Sequence, residues 1–312
     1  MKKISNKIVF FGSGPVAAES LRLLQAHTEV EAVITKDSTK REMAAITKSA
    51  PVFTANTKAE LDTLISSQTF ESRLGILIDF GIIVSQDVID SFERGIINSH
   101  FSLLPEWRGA DPITFSILSG QKQTGVSLML LVQAMDEGPI LAQGIYDIKD
   151  FETTPTLTHE LILLSDALLR DTAHAYLNDI PHPETSIKTI PRPQEDVNKM
   201  WQKPLAVSYS RKLTKADGIL DFNKPAEQLE REIRGFIEWP KSRTEIAGKD
   251  VVITKVSVDN DTNGTIGTVY KTSDKKIGIY TSKGSLVIEA LKPAGKKEMP
   301  VQAFLAGYSA RL

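Results

Sequence analysis

Lys7-Ile8-Val9-Phe10-Phe11-Gly12-Ser13-Gly14-Pro15 is a short apolar run that ends in a glycine-rich turn. Apolar residues on successive positions suit a strand buried on both faces, as in a parallel sheet. The residues that follow carry helical spacing through Leu21, Leu23 and Leu24. Pro15 fits the first helical turn, where its missing N–H costs little. The alternation then repeats: Val30 to Ile34 reads as a strand, Lys58 to Ser66 as a helix, Leu74 to Ile78 as a buried strand and Ile96-Ile97-Asn98 as another. Buried strands alternating with helices predict an α/β fold with a mostly parallel sheet and helical crossovers. Thr124 to Val132 and Ile140 to Tyr146 are further strand segments, joined by a loop containing Asp and Gly. Thr156 to Leu177 reads as one long amphipathic helix, with Pro155 just before it.

The pattern changes after that helix. Ile180-Pro181-His182-Pro183 and Ile190-Pro191-Arg192-Pro193 flank a polar stretch, and closely spaced prolines with few apolar residues read as a linker. The expected organisation is a first domain over residues 1–185, a linker over 186–205 and a second domain over 206–312. The second contains a helix from Pro225 to Phe236. Short strand-like runs follow at Val251 to Ile253, Thr265 to Tyr270, Ile277 to Tyr280 and Leu286 to Ile288. Turn signals at Asn263-Gly264 and Lys283-Gly284 separate them, which predicts a small β-barrel.

The 312 residues are 41% hydrophobic and 24% charged, an ordinary globular balance, and they include no cysteine. That excludes disulfides, a thiol nucleophile and thiolate metal sites, and it fits a reducing compartment. The basic start, Met1 to Lys7, is followed by too short an apolar run for a signal-peptide core, and no stretch reaches the ~18 apolar residues of a membrane span. The expectation is a cytoplasmic monomer with no membrane partner. Charge is uneven: residues 201–312 hold 19 Lys and Arg against 13 Asp and Glu, a net +6, while residues 1–200 carry −8. Such asymmetry suits a polyanion docking on one side, although a solvated surface produces it too.

Gly12-Ser13-Gly14-Pro15-Val16-Ala17 matches the loose form of a dinucleotide fingerprint, with Asp37 further on. The same glycines serve equally as a tight strand-to-helix turn. A stronger constellation lies downstream. Asn98 follows a buried strand and His100 stands two residues later, so an amide and an imidazole project to one side of an extended segment. They do so at the carboxyl end of a parallel strand, where open α/β sheets bind ligands. Met135-Asp136-Glu137-Gly138-Pro139 offers a carboxylate on a loop. Acyl transfer to an amine needs a donor for the oxygen that becomes negative, a group to manage the proton, and a carboxylate to support the imidazole. Asn98, His100 and Asp136 supply one of each. No metal is expected, since no HExxH or comparable ligand set exists. His27, His159, His174 and His182 read as surface or packing residues.

Asn98-x-His100-x-Ser102-Leu103-Leu104-Pro105, then Trp107-Arg108-Gly109-Ala110 and Asp136-x-Gly138, resembles the formyltransferases that use 10-formyltetrahydrofolate. Tyr209 to Leu213, Asp217-Gly218-x-x-Asp221, Arg234-Gly235-Phe236-x-x-Trp239-Pro240 and Pro293 to Met299 resemble the branch that acts on methionyl-tRNA. The resemblance implies a Rossmann-like formyltransferase domain and a C-terminal OB-like barrel, both meeting charged initiator methionyl-tRNA. It implies Asn98, His100 and Asp136 as the catalytic set, with Asn98 and protonated His100 on the oxyanion. It also implies that Ser102, Leu103, Leu104 and Pro105 line the folate site, with Gly81, Ile82 and Val84 on one side of the pterin and Gln133 to Asp136 on the other. The sequence departs from that family at Glu106, where a basic residue is usual, and at Asp111, where a small one is usual. The Lys36 to Glu42 loop is also short, which leaves Lys36, Lys40 and Arg41 as its basic residues. Three other readings compete: a formyltransferase for a nucleotide-linked amino sugar, a non-catalytic RNA-binding protein, and a nicotinamide dehydrogenase.

Overall fold

The computed structural model describes residues 7–47, 49–179, 191–199, 204–260 and 264–308. The Met1 to Asn6 start, Pro181-His182-Pro183, Ile190 and Asn263 lie outside the described residues. Strand β1 (Ile8–Gly12) is buried throughout and leads into α1 (Pro15–Leu24). A Cβ at Gly12 would stand 2.7 Å from Ala17 Cβ and 2.8 Å from the Ile78 carbonyl, so the glycine answers a close approach in the strand-to-helix turn. Next come β2 (Val30–Thr35), a helical turn at Asp37–Thr39, α2 (Lys40–Ile46) and β3 (Val52–Thr54). The short loop at Lys36 to Glu42 is thus taken up in helix. Then follow α3 (Lys58–Ser67), β4 (Leu74–Ile78), α4 (Gln86–Asp90) and β5 (Ile96–His100). The chain continues through β6 (Arg108–Gly109), α5 (Pro112–Ser119), β7 (Gln123–Leu130), β8 (Ile140–Asp147) and α6 (Thr154–Leu177). Within the stretch read as linker stands a short helix, α7 (Gln194–Lys199), and β9 (Tyr209–Ser210) follows.

Two compact units form. The first comprises Met1–Ala110, Gln123–Tyr146 and Thr158–Ser210; the second comprises Asp111–Lys122, Asp147–Leu157 and Arg211–Leu312. The partition is interleaved in sequence, where the sequence reading drew one cut.

In the first unit a seven-stranded sheet, among the described residues, has the order β3-β2-β1-β4-β5-β7-β8. Strands β3, β2, β1, β4 and β5 run parallel, as expected for β2, β1, β4 and β5, while β3 was not foreseen and β7 runs antiparallel to β5. Its core joins Val9, Phe11, Ile34, Leu61, Phe80, Val88, Phe92 and Ile96. Phe11 meets Phe80 and Phe92 edge-on at 5.7 and 5.8 Å, an arrangement that adds about 0.5–1.5 kcal/mol per pair beyond buried area.

In the second unit, α8 (Ala226–Gly235) buries Ala226, Leu229 and Ile233, positions that recur on one helical face. The sheet contains β10 (Arg243–Ile246), β11 (Lys249–Asp259), β12 (Val269–Lys271), β13 (Ile277–Tyr280), β14 (Ser285–Pro293) and β15 (Met299–Pro300). Its order is β10-β11-β14-β13-β12 with β15 on β14, all antiparallel, which makes the expected OB-like barrel a curled half-barrel. Leu229, Ile233, Ile253, Ile279, Leu286 and Leu291 fill it with Phe304 of α9 (Val301–Tyr308). The strand read over Thr265 to Tyr270 begins only at Val269. Thr268 N–H closes a turn on the Thr265 carbonyl at 3.0 Å and Gly267 has φ 81°, so this stretch keeps only the Gly267 N–H and Thr268 carbonyl bonds to Tyr280 and no regular strand.

Asp111 explains one departure from the family pattern. It has φ 56°, a left-handed conformation that Asp tolerates better than most residues, and its carboxylate accepts the Leu213 N–H at 3.2 Å. Asp217 ties down the same unit. Its Oδ2 accepts from Arg211 Nη1 at 2.9 Å, Thr214 N–H at 2.7 Å and Thr214 Oγ1 at 2.8 Å. The Arg211 guanidinium, aided by the Thr214 donors, holds this carboxyl well below the usual range. A depressed folded pKa stabilises fully above the unfolded value and is lost as pH falls through the folded one. Asp217→Asn is therefore expected to cost about 1–2 kcal/mol at pH 7. The gap to wild type should close as urea midpoints are followed below about pH 4. A gap that stays constant into acid would show that the charge of Asp217 contributes nothing.

Candidate active site

β5 alternates its side chains between two faces. Ser99 Oγ lies 2.7 Å from Ser165 Oγ of α6, so Asn98 and His100 face away from that helix. Both are buried, at 8% and 7% exposure. Asn98 pairs in register with Leu77, near the carboxyl end of β4, and with Met129 on β7.

His100 Nε2 lies 3.0 Å from the Trp107 carbonyl. A carbonyl only accepts, so Nε2 carries the proton in that contact and Nδ1 is left facing Asp136. Nδ1 and Asp136 Oδ2 are 3.8 Å apart, beyond hydrogen-bond range. Asp136 Oδ2 instead accepts the Gly109 N–H at 2.7 Å. The carboxylate is thus held by main chain and acts on the imidazole through space, while the bond that fixes the ring goes to Trp107. The Asn98 carboxamide bonds to no other described residue. Its nitrogen and oxygen are not among the sealed, unpartnered polar atoms of the described residues, so the amide stays accessible to a ligand.

The segment after β5 is a packed turn. Ser102 is fully buried and donates to the Glu106 carbonyl at 2.5 Å. Ser127 of β7 donates to the Ser102 carbonyl at 2.7 Å and accepts the Leu104 N–H at 2.9 Å. Gln143 of β8 donates to the Leu104 carbonyl at 2.9 Å. Leu103 and Leu104 are 2% and 1% exposed, and Leu104 packs with Met129 and Ile140. Ser102 to Leu104 are therefore hydrogen-bonded and packed against β7 and β8. Glu106 is half-buried, and burial pushes its carboxyl up.

The loop after β4 brings Gly81, Ile82 and Val84 to the same edge of the sheet. Val84 is 8% exposed and belongs to the core with Leu77 and Phe80. Its neighbour Ile83 is 78% exposed. The Lys36 ammonium sits over Gly81, 2.8 Å from where a Cβ would be. Across the sheet, Gln133 is exposed and Met135 is 65% exposed, while Leu131 joins Ile82 in packing on the core. Ile83 and Met135 are thus exposed apolar side chains on the loops that follow β4 and β7, whose Ile82 and Leu131 pack on one core. Among the described residues no group of three or more His, Cys, Asp or Glu could hold a metal ion, and no helix is long and apolar enough to cross a membrane.

The second unit has its own groove, about 930 Å³ in volume, lined by Lys215, Lys241, Arg243 and Lys292 along with Ile219 and Pro293. Glu245 and Asp250 are its acidic members.

Comparison with known proteins agrees with these features. Residues 3–171 match the Formyl transferase family, and residues 212–309 match the Formyl transferase, C-terminal domain family. A methionyl-tRNA formyltransferase of Dechloromonas aromatica (strain RCB) is 31% identical over 314 residues, covering 97% of this chain and 96% of that protein. Among solved structures, an N-formyltransferase from Helicobacter canadensis, in complex with folinic acid and dTDP-3-aminofucose, superposes with a TM-score of 0.64 at 18% identity. The match covers 91% of this chain and 98% of that one. HypX from Aquifex aeolicus in complex with tetrahydrofolic acid gives 0.60 at 14% identity, over 98% of this chain and 48% of that one, so this chain spans about half the length of HypX. At such identities the two structures speak for the fold alone. The family matches, the 31% relative and the shared architecture together place this chain in the methionyl-tRNA formyltransferase family of formyl-transferring enzymes.

Proposed function

We propose that the protein transfers the formyl group of 10-formyltetrahydrofolate to the α-amine of methionyl-initiator-tRNA, in the cytoplasm. The observation that carries this reading is the convergence of Asn98, His100 and Asp136 in a chain that matches methionyl-tRNA formyltransferase over nearly its whole length. The first domain, residues 1–185 in the sequence reading, would hold the donor, and residues 206–312 would add contacts to the tRNA.

The donor supplies an activated formyl group on a nitrogen that can leave. Ile83, Met135 and the backbone of Gly81 to Val84 would hold its rings, with Ser102 to Pro105 as the floor. Attack by the aminoacyl nitrogen forms the new C–N bond as the donor C–N bond breaks, and the amine proton ends on the departing nitrogen. Asn98 would donate to the formyl oxygen as it gains charge, and His100 would stand beside it. Asp136, 3.8 Å from the imidazole, would orient it and help move the proton. The basic groove of the second unit suits a phosphate backbone, as does the +6 charge of residues 201–312.

The test is formylation with 10-formyltetrahydrofolate and charged initiator tRNA, run beside charged elongator tRNA and a nucleotide-linked amino sugar. Turnover should be restricted to the initiator and should fall steeply between about 50 and 200 mM salt. Turnover of the amino sugar alone would overturn the acceptor assignment.

A further inference from the structure

The composition of Pro191 to Lys199 reads as linker, yet the structure folds this segment against the loop that carries Asp136. Two backbone hydrogen bonds clip it on: Ile140 N–H to the Arg192 carbonyl at 2.7 Å and Arg192 N–H to the Ile140 carbonyl at 2.9 Å. Val197, one turn further, packs on Leu104, Met129 and Ile140. Between these contacts stands Gln194, 6% exposed. Its Nε2 donates to the Asp136 carbonyl at 2.7 Å and to the Gly138 carbonyl at 3.0 Å. Its Oε1 accepts from Arg108 Nη2 at 2.7 Å, and Arg108 Nη1 reaches Glu137 at 2.7 Å. Two carbonyls require the amide nitrogen and a guanidinium requires the amide oxygen, so the side chain has one orientation.

These bonds fall on a backbone that needs holding. Asp136 has φ 53°, a left-handed conformation that costs a non-glycine residue about 1–3 kcal/mol and persists where its surroundings enforce it. The same conformation aims the Asp136 carboxylate at Gly109 N–H and His100. Arg108 precedes Gly109, so Gln194 bonds to both sides of the Asp136–Gly109 contact.

We infer that Gln194 is a positioning residue: it holds Asp136 and the Arg108-Gly109 backbone in register, and through them the imidazole of His100. The inference rests on the assignment of Asp136 to the reaction, and the experiment separates the two. Gln194→Ala and Gln194→Glu are compared with Asp136→Asn by steady-state kinetics, thermal unfolding and donor binding. The Glu variant matches Gln in size and keeps a partner for Arg108, but it turns an oxygen toward two carbonyls. Both Gln194 variants should lose about 10- to 100-fold in kcat, with KM for donor and acceptor within about twofold, because misplacing a reacting group costs rate more than binding. In the Asp136→Asn background, Gln194→Ala should cost less than about threefold, since the residue it positions no longer acts. An active Asp136→Asn enzyme would remove the underlying assignment. An impaired Asp136→Asn enzyme beside Gln194 variants that keep wild-type kcat, or that lose only melting temperature, would overturn the role of Gln194. Equal losses from Gln194→Ala in both backgrounds would overturn it as well.

Discussion

Asn98→Ala is expected to lower kcat about 10²- to 10³-fold while the protein stays folded, the loss of one oxyanion donor worth about 2.7–4 kcal/mol. The structure sharpens why the effect should sit in kcat. The Asn98 carboxamide is buried at the carboxyl side of β5 and bonds to no other described residue, so truncating it breaks no internal bond. What remains at risk is the interaction with an oxygen that becomes charged as the reaction proceeds. Single-turnover rates with saturating donor and charged tRNA would isolate that step, and donor affinity should change little. Turnover within about threefold of wild type would exclude Asn98 as a donor in the transition state. Asn98→Asp is a second probe: it keeps the shape, replaces the donor with a carboxylate at neutral pH, and should be at least as impaired.

Gly125→Ala should produce the largest stability loss, about 3 kcal/mol. Gly125 lies in the buried middle of β7, and a Cβ there would stand 1.9 Å from the Gly144 carbonyl and 2.6 Å from Leu103 Cδ2. The first obstacle is the backbone of β8, which cannot rotate aside. The second is a side chain 2% exposed, in the turn beneath the proposed folate site. Relief requires β8 to move away from β7, or Leu103 to shift and take Leu104 with it. Urea midpoints would measure the loss, with Gly307→Ala as the control. A Cβ at Gly307 in α9 meets nothing within 4 Å, so that change should be neutral or stabilising by up to about 1 kcal/mol. If Gly125→Ala unfolds at the wild-type midpoint, the two strands are not packed as closely as the structure has them.

Much of this was legible in the chain. Ile8 to Phe11, Leu74 to Ile78 and Ile96-Ile97 lack polar alternation, and burial on both faces of a parallel sheet is what makes them so. The period of two along β5 puts Asn98 and His100 on one side from the sequence alone. Other features had no local signal. The reversed direction of β7 leaves no mark, because a strand buried on both faces reads the same either way. Asp136 was expected to support the His100 imidazole; that its hydrogen bond goes to the Gly109 N–H was not foreseen, because a backbone donor 27 residues away carries no side-chain signature. That Ile83 is exposed while Val84 is buried had no signal either, because a loop has no period to say which of two neighbours faces the core. Gln194 was hidden by composition: prolines 191 and 193 resemble a spacer, yet here they lead into a helical turn whose contacts are all long-range.

The two-residue ladder between β6 and β9 has one more consequence. It pairs Arg108 with Tyr209 and Gly109 with Ser210, while Ser208 Oγ accepts the Trp107 N–H at 3.0 Å. Trp107 supplies the carbonyl that fixes His100, and Gly109 supplies the N–H that fixes Asp136. A chain emerging from the ribosome amino end first therefore has the three side chains proposed for the reaction in hand once Asp136 is made, but not the strap that aligns them. Some seventy further residues must be synthesised before Ser208 to Ser210 can close over Trp107 to Gly109. Until then the nascent polypeptide carries the parts of the centre without its alignment.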